Sequence, residues 1–371
     1  MNLRNHYIPE ITKWLKEGAW RISVTGLSGA ARAYFIAEML VANEKPCLIM
    51  LPKARDALRF FKELEFFLPE SFVSGDQGER RLYDFPIYDI SPLAGLSPHR
   101  SIINRRIQSL YALTSERYPI IIASVEAVLF KLMPKEALLK SLEYLESGEE
   151  FSREELLEKL ETGGYLRTSL VEEVGDYSVR GSVIDIFPPL YFQPVRLDFW
   201  GDRLESVRHF DPVSQRSTEH LKEMVLLPAN EIIMDMEGMQ RARSMGRLPG
   251  QVIEEGYGFP GQEAWLNHFY QELDSLFEYF PHDGLITLID RSTLESEIGR
   301  FIERILTDTE KYRLEAGERG IPFPETEGIF ISEEEFSSIL EKYQRVDFSE
   351  LTVQRPAGDY KTLEIKGTSS I

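Results

Sequence analysis

The chain has 371 residues, of which 43% are hydrophobic and 28% charged, and this composition is typical of a folded globular protein. At about 100–200 residues per domain, the length predicts two or three domains. Lysine and arginine total 42 and aspartate and glutamate 61, so the formal net charge is −19 and the surface as a whole repels nucleic-acid backbones. A single cysteine, Cys47, excludes an internal disulfide and a multi-cysteine zinc site. No apolar run reaches the length of about 18 residues that spans a bilayer, and the first residues lack a signal-peptide core, so we expect a cytoplasmic protein with no membrane partner.

The first part of the chain, residues 1–133, has the pattern of an α/β domain. Short apolar runs predict buried strands, and apolar residues at helical spacing predict helices between them. The predicted strands are 20–25, 46–51 and 119–124, and the predicted helices are 32–40, 54–67 and 101–113. Ser101 is the predicted N-cap of the third helix. Strands and helices that alternate in this way favour a parallel sheet.

The second part, residues 134–216, has a different character. Ser152 and Glu155 form a capping-box pattern that begins a short helix, which ends at Gly163-Gly164. Closely spaced strands follow, and Gly201-Asp202 has the composition of a two-residue hairpin turn. The predicted strands are 176–180, 182–187, 195–200 and 203–210. This pattern predicts a small antiparallel α+β domain.

The third part, residues 217–345, predicts one more buried strand over 283–290. This run has no neighbouring partner, so we expect it to return to the first sheet and to make residues 134–216 an insertion within one α/β domain. Ser332 caps a predicted last helix. Residues 346–371 are polar and predict a linker toward the rest of a longer protein.

A glycine-rich turn between the first strand and the first helix of the sheet lies where a phosphate-binding loop would lie. The loop motif G-x-x-x-x-G-K-[ST] wraps phosphates through its backbone, its lysine and its Mg²⁺-binding hydroxyl. Gly26 and Gly29 are present, but the second motif glycine is Ala31, the lysine is Arg32 and the hydroxyl residue is Ala33. Ala33 offers no oxygen to a metal. We interpret the turn as a strand–helix connection, with a weakly held anion as the open alternative.

A second position agrees with this interpretation. In a nucleotide hydrolase, a neighbouring strand ends with an acid that holds Mg²⁺ and a carboxylate that polarises water. Here the strand ends at Asp290 and Arg291, so a positive charge occupies the place of the catalytic carboxylate. Because Mg²⁺ and electrostatic stabilisation supply most of the catalysis of phosphoryl transfer, we predict an ATPase-like fold without catalytic residues, cofactor or metal.

The sequence resembles a known family. Residues 164–188 (GYLRTSLVEEVGDYSVRGSVIDIFP) and 194–217 (PVRLDFWGDRLESVRHFDPVSQRS) look like the UvrB-homology module of the bacterial transcription-repair coupling factors (Mfd). The resemblance implies an N-terminal region with a degenerate P-loop, helicase-like parallel sheet formed by domains 1a (1–133) and 1b (217–345). It also implies that residues 134–216 form an inserted domain 2 that docks UvrA.

The resemblance also implies the docking residues. Arg167 and Arg180 match arginines that pair with acidic groups on UvrA, while a third family arginine is Ser178 here. Phe187 is the predicted apolar anchor beside them. In one unbroken strand Arg180 and Phe187 would point to opposite faces, so we predict a bulge at Gly181 that brings them onto one face.

Other residues have simpler interpretations. Arg105 and Arg106 are predicted to lie on a solvated or salt-bridged helix face, with a contact to DNA or to an acidic partner as the open alternative, and Trp200 is predicted to pack at its hairpin end. UvrB clamps DNA with an aromatic hairpin, but the corresponding stretch 86–99 is short and has only Tyr88 as an aromatic. None of the six histidines has metal-ligand spacing.

Three functions fit the sequence. The favoured one is a non-catalytic module that recruits UvrA to stalled RNA polymerase in transcription-coupled nucleotide excision repair. The alternatives are a nucleotide-dependent, UvrB-like helicase domain and a clamp that contacts other domains of the same full-length chain. By the resemblance, the rest of the parent protein is an ATP-driven DNA translocase that engages RNA polymerase and DNA.

Overall fold

The computed structural model of the chain describes residues 3–74, 80–114, 117–246, 248–249, 258–350 and 360–365. Its largest sheet has seven strands in the order β15-β1-β14-β13-β2-β4-β3, and all their pairings are parallel. The strands are β1 (Arg21–Thr25), β2 (Cys47–Leu51), β3 (Leu82–Phe85), β4 (Ile120–Ser124), β13 (Leu285–Ile289), β14 (Gln344–Ser349) and β15 (Lys361–Glu364). The predicted parallel α/β sheet is therefore confirmed.

Helices cover both faces of this sheet, which explains why its central strands read as unbroken apolar runs. Along β2, Cys47, Ile49 and Leu51 belong to one hydrophobic cluster, and Leu48 and Met50 belong to the other. The helices are α1 (Leu3–Lys16), α2 (Gly29–Ala42), α3 (Ala54–Phe67), α4 (Glu70–Val73), α5 (Arg100–Thr114), α6 (Val125–Leu129), α7 (Lys135–Ser141), α8 (Arg153–Thr162), α9 (Met236–Met245), α10 (Leu266–Phe269), α11 (Leu276–Tyr279), α12 (Arg291–Arg319) and α13 (Glu333–Leu340).

The strand predicted near residue 285 returns to the first sheet. β13 pairs with β2 on one side and β14 on the other. The residues between β4 and β13 therefore include an insertion into a single α/β domain, as the sequence predicts.

The predicted linker over 346–371 is wrong in two places. β14 lies between β1 and β13 in the middle of the sheet, and β15 pairs with β1 at its edge. The charged residues of β14 made this segment look like a linker. Arg345 and Asp347 are nevertheless buried within the sheet, where they form an ion pair with each other (Nε–Oδ1 2.9 Å). Residues 351–359 and 366–371 of the predicted linker lie outside the described residues.

Helix α5 also begins differently from the prediction. Its first residue is Arg100, so Ser101 lies inside the helix rather than at its N-cap. The Ser101 N–H instead donates to Nδ1 of His99 (3.3 Å), which therefore takes the capping role that we assigned to Ser101. The predicted caps Ser152 and Ser332 are confirmed, since each side chain accepts the N–H of the residue three positions on.

The inserted part is built around a six-stranded sheet in the order β11-β10-β9-β8-β7-β6. Neighbouring strands are antiparallel except β6 and β7, which are parallel. The strands are β6 (Leu166–Arg167), β7 (Asp176–Arg180), β8 (Val183–Ile186), β9 (Val195–Trp200), β10 (Arg203–Phe210) and β11 (Ser217–Leu221). β11 extends the sheet beyond the predicted boundary at residue 216, because it pairs with β10.

The two strands that flank this six-stranded sheet in the chain pair with each other. β5 (Glu143–Glu146) precedes the six-stranded sheet in the chain, β12 (Glu223–Leu226) follows it, and the two pair antiparallel. The inner face of the six-stranded sheet shares one hydrophobic cluster with α5 and with β13, through residues such as Ile184, Leu197, Ile103 and Ile286. The opposite, outer face is exposed at its turn end, at Arg180 and Trp200, whereas Ser178 and Asp185 on the same face are buried.

Candidate functional site

The glycine turn after β1 is covered by the chain itself. Gly26 has a positive φ (86°), and a Cβ at this position would collide with the backbone oxygen of Ile365. The Ile365 N–H donates to the Thr25 oxygen (3.0 Å), so the segment that follows β15 is hydrogen-bonded beside the turn. Gly29, at the start of α2, also has a positive φ (51°) but has open space around its Cβ position. The first part of the loop is therefore closed by the chain's own backbone.

The altered motif residues have internal partners. Arg32 donates from Nη1 to Oδ2 of Asp290 (3.1 Å), and its side chain is only 12% exposed. Ala33 is fully buried and Ala31 packs against the same cluster. Arg32 and Asp290 therefore lie in one corner of the sheet, where the guanidinium is neutralised by this carboxylate.

Arg291 also has internal partners. Its Nε lies 2.8 Å from Oε1 of Glu295, and its Nη1 donates to the Tyr360 hydroxyl (2.8 Å) and lies 3.5 Å from Oδ2 of Asp347. Burial raises the pKa of Asp347, and the guanidinium groups of Arg345 and Arg291 counteract part of that rise. Together with the Arg32–Asp290 pair, these contacts make the closed corner: Gly26, Arg32, Asp290, Arg291 and Ile365.

The outer face of the inserted sheet carries the predicted docking residues. The β7–β8 register pairs Arg180 with Val183 and Ser178 with Asp185, while Tyr177 faces the core with Ile186. Arg180 is exposed, and its Nη2 donates to the backbone oxygen of Ser169 (2.8 Å). No hydrogen bond of its other side-chain N–H groups exists within the described residues, so they remain able to donate to a carboxylate.

The predicted bulge at Gly181 is wrong. β7 and β8 are two antiparallel strands joined by the turn Gly181–Ser182, and Gly181 has the positive φ (61°) that such a turn needs. The hairpin nevertheless places Arg180 and Phe187 on one face, because the Phe187 N–H donates to the Asp176 oxygen (2.9 Å) and so continues the same register. Phe187 is half-buried at the far end of this hairpin from Arg180.

Arg167 lies at the edge of the sheet. It is exposed, and within the described part of the chain its guanidinium has no ion-pair or hydrogen-bond partner. Its ladder neighbour is Tyr177, which belongs to the core face, whereas Arg180 belongs to the outer face. The structure therefore brings Arg167 and Arg180 to the same edge of the sheet but not onto the same face.

Other arginines of the outer face are satisfied internally. Arg196 makes a bidentate pair with Asp185 (2.7 and 2.8 Å), and Arg208 pairs with Asp198. Ser178, which replaces the third family arginine, lies beside Asp185 in the β7–β8 register. The guanidinium of Arg196 on β9 thus lies near this position, but Asp185 already neutralises it.

Sequence reasoning missed two features. Trp200 is 81% exposed at the end of β9, although we predicted that it packs. The alternation along β9 could have revealed this, because Leu197 and Phe199 face the core and Trp200 lies on the opposite face of the strand.

In the described residues no helix is long and apolar enough to cross a membrane, and no group of three His, Cys, Asp or Glu in them could hold a metal.

The second feature is Arg106, which we predicted on a solvated or salt-bridged face. Its salt bridge exists, but the side chain is fully buried: Nε lies 2.5 Å from Oε1 of the equally buried Glu231. The Tyr88 hydroxyl donates to Oε2 of the same glutamate (3.0 Å), and the guanidinium lies 4.2 Å from the ring centroids of Phe85 and Tyr88. Tyr88 is therefore an interior residue of this chain. Arg105 is partly exposed and pairs with Asp84 (2.6 Å), as the prediction allowed.

Comparisons with known proteins match this organisation. Residues 144–232 match the family model of the UvrB interaction domain, a range that contains the whole six-stranded sheet. The transcription-repair-coupling factor of Myxococcus xanthus is 34% identical over 295 residues, which cover 73% of this chain and 24% of that protein. Those of Escherichia coli K12 (32% over 286 residues, 74% and 24%) and Bacillus subtilis (26% over 333 residues, 80% and 27%) are also similar. The chain spans about a quarter of the length of these relatives.

Proposed function

Because the chain carries the UvrB-homology region of the transcription-repair-coupling factors, we propose that it is a non-catalytic module that binds UvrA in transcription-coupled nucleotide excision repair. The observation that carries the proposal is the exposed Arg180 on the outer face of a sheet that lies wholly inside the match to the UvrB interaction domain. An exposed guanidinium suits a partner's carboxylate, because its planar fork can make two parallel hydrogen bonds.

The geometry of the corner supports the non-catalytic part of the proposal. A triphosphate with Mg²⁺ needs open backbone N–H groups, a cation and a metal-binding oxygen. In this chain the backbone at Gly26 lies against Ile365, the guanidinium of Arg32 is held by Asp290, and Ala33 has no oxygen to offer. Each of the three requirements for nucleotide binding is therefore either blocked by an internal contact or absent.

The proposal assigns the wider activity to the rest of a longer parent protein in the bacterial cytoplasm. That part would translocate on DNA with ATP and engage RNA polymerase, while this region supplies the contact with UvrA. Contacts between this region and other domains of the same parent chain are compatible with the proposal.

Titration of the full chain with UvrA tests the proposal. We expect the wild-type chain to bind, and Arg180→Ala and Arg167→Ala each to weaken binding by about 2–5 kcal/mol, the cost of removing one partner of a desolvated charge pair. Phe187→Ala tests the predicted apolar anchor. The matched control is Arg59→Ala, which removes an exposed arginine on α3 of the large-sheet domain and should bind like the wild type.

Two outcomes would overturn the proposal. If Arg167→Ala and Arg180→Ala both bind UvrA as tightly as Arg59→Ala, the docking site is wrong. If equilibrium dialysis with ATP and Mg²⁺ shows tight binding by the wild-type chain, the nucleotide-dependent helicase alternative replaces the non-catalytic one.

A further inference from the structure

Two tight turns meet at one end of the inserted sheet. Gly181–Ser182 joins β7 to β8, and Gly201–Asp202 joins β9 to β10. The Phe199 N–H donates to the Ser182 oxygen (3.0 Å), so the two turns are adjacent. This end of the sheet therefore presents residues of both hairpins side by side.

Trp200 shares the outer face with Arg180 at this end. The ladder pairs Arg180 with Val183 and Val183 with Asp198, so these three belong to one face. Trp200 is two residues beyond Asp198 on β9 and thus on the same face, opposite Arg203 of β10. We call the four residues Arg180, Val183, Trp200 and Arg203 the tip patch.

The exposure of Trp200 is what distinguishes the tip patch. Its side chain is 81% exposed, and its indole N–H has no hydrogen-bond partner within the described residues. A single exposed apolar residue is normal in proteins, but tryptophan and arginine are the residue types most enriched in binding hot spots. Here both types lie on one face at the same end of the sheet, with strand β8 between them.

The tip patch is also held in place. Nη2 of Arg153 donates to the Gly181 oxygen (2.7 Å), and the Phe151 N–H donates to the Asp202 oxygen (2.6 Å). Arg153, at the start of α8, and Phe151, just before it, therefore hold both turns in place by hydrogen bonds. A surface that is rigid before binding loses less conformational entropy when a partner docks.

The charges around Trp200 indicate the chemistry of the partner. Asp198, an acid on the same face two residues before Trp200, is paired with Arg208 and accepts a hydrogen bond from Ser206 (3.0 Å). Arg203 pairs with Glu205 (3.2 Å), which leaves Arg180 as the cation of the tip patch that no carboxylate neutralises in the described residues. A complementary surface would offer an apolar pocket with a carboxylate at its rim.

We propose that Trp200 is the apolar anchor of the docking surface and inserts into such an acid-rimmed pocket. The inference rests on the proposed function, because the partner is the UvrA of that proposal. It moves the centre of the interface from the half-buried Phe187 to the turn end of the hairpins, where Arg180 and Trp200 act together.

Affinity measurements test the inference. Trp200→Ala should weaken UvrA binding at least tenfold, and Trp200→Phe, which keeps a ring, should recover most of the loss. Phe66→Ala is the matched control, since Phe66 is 80% exposed on α3 of the other domain and should change binding less than twofold. Because Trp200 is exposed, the thermal midpoint of Trp200→Ala should equal that of the wild type.

Fluorine NMR gives a second readout. The chain has four tryptophans, so labelling with 5-fluorotryptophan gives a spectrum in which Trp200→Phe assigns one resonance. Unlabelled UvrA should shift or broaden that resonance. If UvrA binds and Arg180→Ala weakens it, but the Trp200 resonance is unchanged and Trp200→Ala matches Phe66→Ala, the anchor is wrong while the proposed function stands. If the wild-type chain does not bind UvrA, both fail.

Discussion

The closed corner and the tip patch both contain arginine, but the two sites use it in opposite ways. In the corner, Arg32 and Arg291 each meet a carboxylate of the same chain. At the tip, Arg180 gives one hydrogen bond to a backbone oxygen and otherwise faces outward. The partner of the guanidinium, rather than the residue type, decides whether an arginine stabilises the fold or recognises another protein.

Under the proposed function, this difference would let an ATPase-like scaffold serve as a docking module. In the corner, internal carboxylates satisfy the charges that a bound phosphate and metal would otherwise satisfy. At the tip, no carboxylate of the described chain neutralises Arg180, so the energy of pairing is available to a partner. Inward arginines should therefore affect the free energy of unfolding, and outward ones should affect binding.

The largest expected effect comes from the most buried arginine. Arg106→Ala should lower the free energy of unfolding by about 3–5 kcal/mol, because it leaves the buried carboxylate of Glu231 unpaired. Urea denaturation measures this, and UvrA affinity of the folded fraction should not change.

The neighbouring arginine supplies the control for this experiment. Arg105 is 37% exposed and pairs with Asp84, so Arg105→Ala should cost about 1 kcal/mol or less. Equal costs at Arg105 and Arg106 would contradict the division between inward and outward arginines.

The sequence predicted most of the fold, because short apolar runs and turn residues are local signals. The strands at Val195–Trp200 and Arg203–Phe210 and the helix Ala54–Phe67 match their predicted ranges. β14 was missed because Arg345 and Asp347 make its pattern polar, and their mutual pairing is not visible in the sequence.

The candidate site was predictable to a smaller extent. Arg32 and Asp290 do come together, since both follow strands of one parallel sheet. The burial of Arg106 depends on Glu231, which lies 125 residues away in the chain, so no local pattern reveals it. The separation of Arg167 and Arg180 onto different faces follows from the register of β6 with β7, which places Arg167 opposite Tyr177, and β6 was not among the predicted strands.

Glu263 is a buried acid that forms no ion pair within the described residues, in contrast to the paired carboxylates of the closed corner. Glu263 is 4% exposed, its Oε2 accepts a hydrogen bond from Ser97 (3.0 Å), and its Oε1 has no partner in the described residues. Burial raises the pKa of Glu263 from 4.5 to about 7. The folded state therefore keeps a proton that the unfolded state releases, and this contribution to stability is full below pH 4.5 and is lost as the pH rises through 7.

Glu263→Gln removes this titration. Relative to the wild type, the variant should gain stability between pH 5 and pH 8, by up to about 3 kcal/mol. Urea denaturation at both pH values measures the gain, with Glu154→Gln as the control for an exposed acid. A stability difference that is the same at pH 5 and pH 8 would show that Glu263 does not titrate in this range.

The smallest expected effect tests whether the chain itself closes the corner. Gly26→Ala should cost about 2 kcal/mol, because the new Cβ meets both an unfavourable positive φ and the Ile365 oxygen. Gly29→Ala meets only the positive φ and should cost about 1 kcal/mol. Urea denaturation gives both costs, and hydrogen exchange of residues 361–365 should accelerate in Gly26→Ala alone.

Equal costs and unchanged exchange would mean that the segment around Ile365 does not close the loop. If Gly26→Ala does displace this segment, we still expect no binding of ATP with Mg²⁺, because Asp290 continues to hold Arg32 and Ala33 still has no oxygen for the metal. Nucleotide binding by this variant would show instead that the covering backbone, and not the altered side chains, is what keeps the corner closed.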